Sequence, residues 1–209
     1  MEYECIKIKI PAEFITVRDE RTSWVDIETV KAPVDPPIKV KNEFCRKRWE
    51  PVMIGVGYRF EGDWWVDITF NWADWPKFFE MYILDSDTMV YRATRKFDEM
   101  ILKGRFWNAR RAFFEDKPEG WPGINEEAFE FVNIYNKMDE PPPRGEDIPS
   151  KDIPKVWPRR FNDMLVHLFR DVVELIMMDP LVTVIEAEEL GFLMLDKDRC
   201  LEYIAENEF

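Results

Sequence analysis

The sequence predicts an α+β fold, with an antiparallel sheet at the N-terminal end covered by helices from the middle and C-terminal parts. Three observations carry this. Period-two alternation of apolar and polar residues dominates about residues 1–72, and the spacing then lengthens to that of helices from about residue 75. A 46% hydrophobic fraction, with nine Trp, sixteen Phe and six Tyr, supplies the apolar surface that a packed core needs.

Taken in order, Ile6, Ile8 and Ile10 alternate with Lys7 and Lys9, the pattern of a half-buried strand that Pro11 ends. Residues 14–18 and 23–30 are β-branched and aromatic and predict two further short strands. Pro33, Pro36 and Pro37 predict a loop over 31–37, with a short strand at 38–41. The clearest local signal is a β-hairpin at about 52–71. Val52, Ile54, Val56, Tyr58 and Phe60 share one face of its first strand. Glu61-Gly62-Asp63 makes the turn, and Trp64, Val66, Ile68 and Phe70 share one face of the second strand. The expected result is a hairpin with one apolar side. Gly55 and Gly57 lie inside the first strand and lead into no helix, so they read as close backbone packing, not as a phosphate loop.

Helical signals follow. Asp74-Trp75-Pro76 marks one start, and Asp85-Ser86-Asp87 caps an expected helix over about 86–103, with Gly104 as its stop. Residues 105–115 read as helical again. Asn125 with Glu126 and Glu127 predicts another helix, with Phe129, Val132 and Tyr135 as its stripe. Residues 139–158 are rich in proline yet carry Ile148, Ile153, Val156 and Trp157, which predicts a strap lying along a surface or a linker. The strongest helix spans 159–178, with Phe161, Leu165, Leu168, Val172, Leu175 and Ile176 on one stripe and Pro180 beyond its end. A strand or connector at 181–186 and short acidic helices at 187–190 and 197–206 complete the chain. This divides it into an α+β part at 1–138, the segment 139–158, and an acidic helical part at 159–209 expected to pack on the first, all within one domain or split between two.

The net charge is −13, distributed as +1 over residues 1–60, −3 over 61–116, −4 over 117–158 and −7 over 159–209. Nucleic-acid binding proteins present a basic face to the phosphate backbone, so this balance argues against direct nucleic-acid binding and against anionic membranes. It favours a basic partner or mimicry of nucleic acid. No apolar run is long enough to cross a bilayer. Cys5, Cys45 and Cys200 are odd in number and widely spaced, as expected of reduced thiols in a cytoplasmic protein. The opening Met1-Glu2-Tyr3-Glu4 has no apolar signal core.

Candidate chemistry is sparse. His167 is the single histidine, which excludes multi-histidine metal sites. Asp163 and Asp171 stand four residues to either side of it on the predicted helix, where two carboxylates and an imidazole can hold a metal. The competing reading is a solvated face, and with 42 acids in the chain such spacing arises by chance. The same argument weighs against the pairs Asp63/Asp67 and Asp85/Asp87 as magnesium or proton-sharing sites. No nucleophile motif is present, and the cysteines read as structural thiols. No cofactor is implied.

Basic residues mixed with aromatics occur at Arg46-Lys47-Arg48-Trp49 and at Arg105, Trp107, Arg110 and Arg111. Such mixtures grip single strands or form interface hot spots, although core aromatics beside solvated charges give the same pattern. Trp121 and Trp157, each followed by proline, serve as exposed anchors or as turn and helix-start residues. The interaction candidates are therefore Trp49, Arg105, Trp107, Arg110, Arg111, Trp121, Ile148, Ile153 and Trp157. The favoured expectation is a non-enzymatic interaction protein within a larger assembly, a role that suits small viral or mobile-element proteins. The alternatives are an acidic mimic that inhibits a nucleic-acid-binding protein, and a metal-dependent enzyme built on carboxylates.

Overall fold

A computed structural model of the chain describes residues 5–18, 21–40, 43–70, 87–92, 130–133 and 157–207. The fold is α+β, with strands toward the N-terminus and helices toward the C-terminus. In chain order the elements are β1 (Cys5–Lys9), β2 (Glu13–Thr16), β3 (Thr22–Val40), β4 (Glu43–Phe60), β5 (Asp63–Thr69), β6 (Thr88–Tyr91), β7 (Glu130–Asn133), α1 (Trp157–Met178), β8 (Val182–Glu186), α2 (Glu188–Leu195) and α3 (Lys197–Glu206). Among the described residues, six strands form one sheet in the order β1-β5-β4-β3-β6-β7, and β2 pairs with β8 in a separate two-stranded ribbon.

The sheet is mixed. Its β1, β5, β4 and β3 portion is antiparallel, as the alternation predicts, but β6 and β7 extend it in parallel beyond β3. This corrects the helical reading at residues 88–91 and 130–133, which are strands. Apart from residues 87 and 92, the rest of the helices expected over 86–103 and from Asn125 lies outside the described residues. In each case an apolar residue that also fits a helical stripe, Met89 or Val132, is buried in the sheet. A four-residue run cannot separate the two periods. The loop expected at 31–37 is likewise part of β3. The prolines are accommodated because the ladder with β4 shifts register between Pro33 and Ile38.

The β4–β5 hairpin turns through Glu61 and Gly62, with φ of 51° and 90°, and Phe60 pairs with Asp63. Two residues with positive φ match the twist of the flanking strands. The register sets Gly57 opposite Val66 and Val56 opposite Asp67. The apolar rows of the two strands thus lie on opposite faces, not on the one apolar side that the sequence predicts. Trp64, Val66 and Ile68 share their face with Met53, Gly55 and Gly57, and α1 packs there. An added Cβ at Gly57 would stand 2.7 Å from Ile176 Cδ1, and one at Gly55 2.9 Å from Val172 Cγ2. The two glycines therefore let the helix settle onto β4.

Sheet and C-terminal helices share one core. Ile8, Trp24, Trp64, Val66 and Ile68 pack with Leu168, Phe169, Val172 and Ile176 of α1, and with Leu190, Cys200 and Ile204 farther on. Trp64 stacks at 5.1 Å from Phe14 and 5.2 Å from Trp24. Asp179, just past α1, is buried and ties three segments together. It accepts hydrogen bonds from Arg18, from Trp24 Nε1 at 3.0 Å and from the Leu181 amide at 3.1 Å.

Candidate functional site

Two surface features stand out among the described residues. The first is the outer face of the β2–β8 ribbon. Antiparallel register places Ile15 opposite Thr183 and Phe14 opposite Val184, so alternate residues face opposite ways. Phe14 and Val182 turn inward and are buried. On the outward side Ile15, Val17, Leu181 and Ile185 are 55%, 77%, 42% and 48% exposed. The Val17 amide donates to the Leu181 carbonyl at 3.0 Å, which carries the pairing past the end of β2. Exposed Glu13 opens β2, and exposed Glu188 and Glu189 follow β8 in sequence. The result is an apolar face on a two-stranded ribbon with acids close by in sequence.

The second feature is a polar seam along one flank of α1. Glu28 lies on the same face of β3 as Trp24, the face that meets the helix, and its register partner is Met53. His167 and Asp171 follow one another at one helical turn. The ligand atoms of Glu28, His167 and Asp171 all lie within 4.8 Å of one another. His167 is exposed and the two acids are half-buried. Arg92, at the end of β6, donates to Glu174 Oε2 at 3.1 Å and stands 4.0 Å from Asp171 Oδ1. Burial pushes the Asp171 carboxyl above its ordinary range, against the opposing pull of Arg92 and His167.

The sequence-predicted metal trio is thus only partly assembled. His167 and Asp171 come together, but Asp163 forms an ion pair with Lys197. Glu28 takes the third position. It was missed because strand register, unknown from the sequence, aims it at α1. The available signal was its place on the row Trp24, Asp26, Glu28, in which an acid follows a core tryptophan.

The remaining carboxylate pairs are engaged locally. Asp67 is fully buried, accepts a hydrogen bond from Tyr58 at 3.1 Å and pairs with Lys7 at 3.1 Å, while Asp63 pairs with Lys9 at 2.7 Å. Asp87 pairs with Arg21 at 3.4 Å, and Asp85 lies outside the described residues. Cys200 is a buried thiol, and burial pushes it up to about 11.

Of the interaction candidates, Trp49 lies in β4 opposite Lys31, and Trp157 is the first residue of α1 with Pro158 behind it. Proline in a first helical turn leaves no intrahelical bond unmade, so the Trp157-Pro158 backbone serves as a helix start. Arg105, Trp107, Arg110, Arg111, Trp121, Ile148 and Ile153 lie outside the described residues. No helix among the described residues is long and apolar enough to cross a membrane.

Comparison with protein-family models, with curated proteins and with solved structures finds no match to this chain.

Proposed function

We propose that this is a non-enzymatic, cytoplasmic interaction protein that works within a larger protein assembly. The observation that carries this reading is the outer ribbon face, where Ile15, Val17, Leu181 and Ile185 stand in solvent around Thr183 on paired strands. Contiguous exposed apolar patches on folded proteins mark contact surfaces. The partner this face fits is a protein with an apolar patch bordered by basic residues, because the ribbon's flanks and the chain as a whole are acidic. The three widely spaced cysteines, odd in number, suit a reducing compartment.

The test is affinity capture from native lysate with wild-type bait and with Ile15→Lys and Ile185→Lys baits, nuclease-treated and washed at low and high salt. Both positions are exposed, so both variants should keep the fold, which circular dichroism checks. A basic-rimmed protein held by wild-type bait at high salt, and weakened at least about tenfold by either lysine, supports the reading. A partner captured equally by all three baits and released by salt overturns it in favour of the acidic mimic, whose contacts are screened.

A further inference from the structure

The geometry points to a binding site for one first-row divalent cation, of the zinc or manganese kind, formed by Glu28, His167 and Asp171 and clipping strand β3 to helix α1. It is independent of the ribbon face. Metal sites need ligands from elements held in fixed relation, and here the relation is held twice. His167 and Asp171 occupy successive turns of one helix face, the spacing that brings two ligands to one point. Glu28 approaches from the strand on which that helix packs. Ligand atoms within 4.8 Å of one another need only small side-chain adjustments to close around an ion at about 2.0–2.2 Å from each.

The chemistry of the set is selective. One imidazole with two carboxylates suits zinc, manganese or iron, whereas calcium and magnesium favour oxygen-only shells. The two carboxylates offset the charge of a divalent ion. Glu174 does not compete for it, because Arg92 engages that carboxylate at 3.1 Å. Three protein ligands leave further coordination positions to water, and the exposure of His167 provides the way in.

The chain's single histidine makes the test direct. Untagged protein is titrated with Mn2+ while the two carbon-bound proton resonances of the one imidazole are followed, and with Zn2+ by calorimetry. Mn2+ is chosen because thiols bind it poorly, so Cys5 and Cys45 do not contribute. The expected result is selective broadening of the imidazole signal by substoichiometric Mn2+, one Zn2+ per chain, and a higher melting temperature with metal. Disturbing outer partners of a metal site costs 10–100-fold in affinity, so His167→Ala or Glu28→Gln, which each remove a ligand, should weaken binding at least about tenfold. Asp163→Asn should leave affinity unchanged, since Asp163 is committed to Lys197. His167 is exposed and Glu28→Gln is isosteric, so retained circular dichroism separates lost binding from lost fold. No selective broadening and no saturable Zn2+ binding up to millimolar metal overturns the proposal. So does an Asp163→Asn loss equal to that of His167→Ala, or a Glu28→Gln variant that binds normally.

Discussion

Asp179 shows how much a single side chain can organise. It receives Arg18, the indole of Trp24 and a backbone amide while excluded from solvent. Removing one member of a buried charge pair leaves the other unpaired in a poor solvent for charge. Asp179→Ala should therefore cost about 3–5 kcal/mol in denaturant unfolding, and Arg18→Met less, because it removes the charge that Asp179 neutralises but leaves the indole and amide donors. The tyrosines give a pH prediction at the same scale. Burial, then the Asp67 charge, raises the Tyr58 hydroxyl, and burial, then Glu189, raises Tyr203 to about 12. An unfolded tyrosine ionises near 10, so from there upward the unfolded chain releases protons that the native chain retains. Stability contributed by these groups is complete below about pH 10 and is lost as pH rises toward about 12. In a spectrophotometric titration, both tyrosines should ionise together with unfolding, whereas Tyr58→Phe and Tyr203→Phe variants should each remove one such late step.

The element scale is where sequence and structure part company, for physical reasons. Long, strongly periodic runs were legible: β1, the β4–β5 hairpin and α1 all stand where their patterns place them. Short parallel strands were not, because Thr88–Tyr91 and Glu130–Asn133 are too brief to show a period, and the pairings that make them strands lie far away in sequence. The candidate cation site shared that fate. Its helical half, His167 and Asp171, followed from spacing alone, whereas Glu28 depended on register. Gly57 tests the closeness of helix to sheet. Gly57→Ala should destabilise by about 1–3 kcal/mol through overpacking against Ile176 and Val172. Ile176→Val removes the nearest methyl, so the double variant should be less destabilised than the two single changes added, a coupling readable by a denaturation cycle.

At the scale of the whole molecule, acid is concentrated toward the C-terminal part of the sequence, and α2 and α3, with Asp196 between them, expose Glu188, Glu189, Asp196, Asp198, Glu202 and Glu206. The ordinary mean composition conceals this polarity, but a segment-by-segment charge count exposes it. The proposed docking face was less legible, since Ile15 and Ile185 become neighbours only when β2 pairs with β8. With a partner bound there, the Ile15→Lys variant should show unchanged thermal stability alone but lose the upward shift that the partner confers on wild type, a comparison made by paired melting curves.

That long-range pairing also sets a schedule. The Arg18–Asp179 link beside the ribbon joins residues 161 apart, and β2 has no partner strand among the described residues until β8 exists. At about 5–20 residues per second, a ribosome needs roughly 8–30 s to bridge that interval. Through that time Ile15 and Val17 belong to an unmated strand, and the surface they later build with Leu181 and Ile185 does not yet exist. An assembly that binds this surface therefore admits only chains in which β2 and β8 have already paired, so recruitment doubles as an inspection for that pairing.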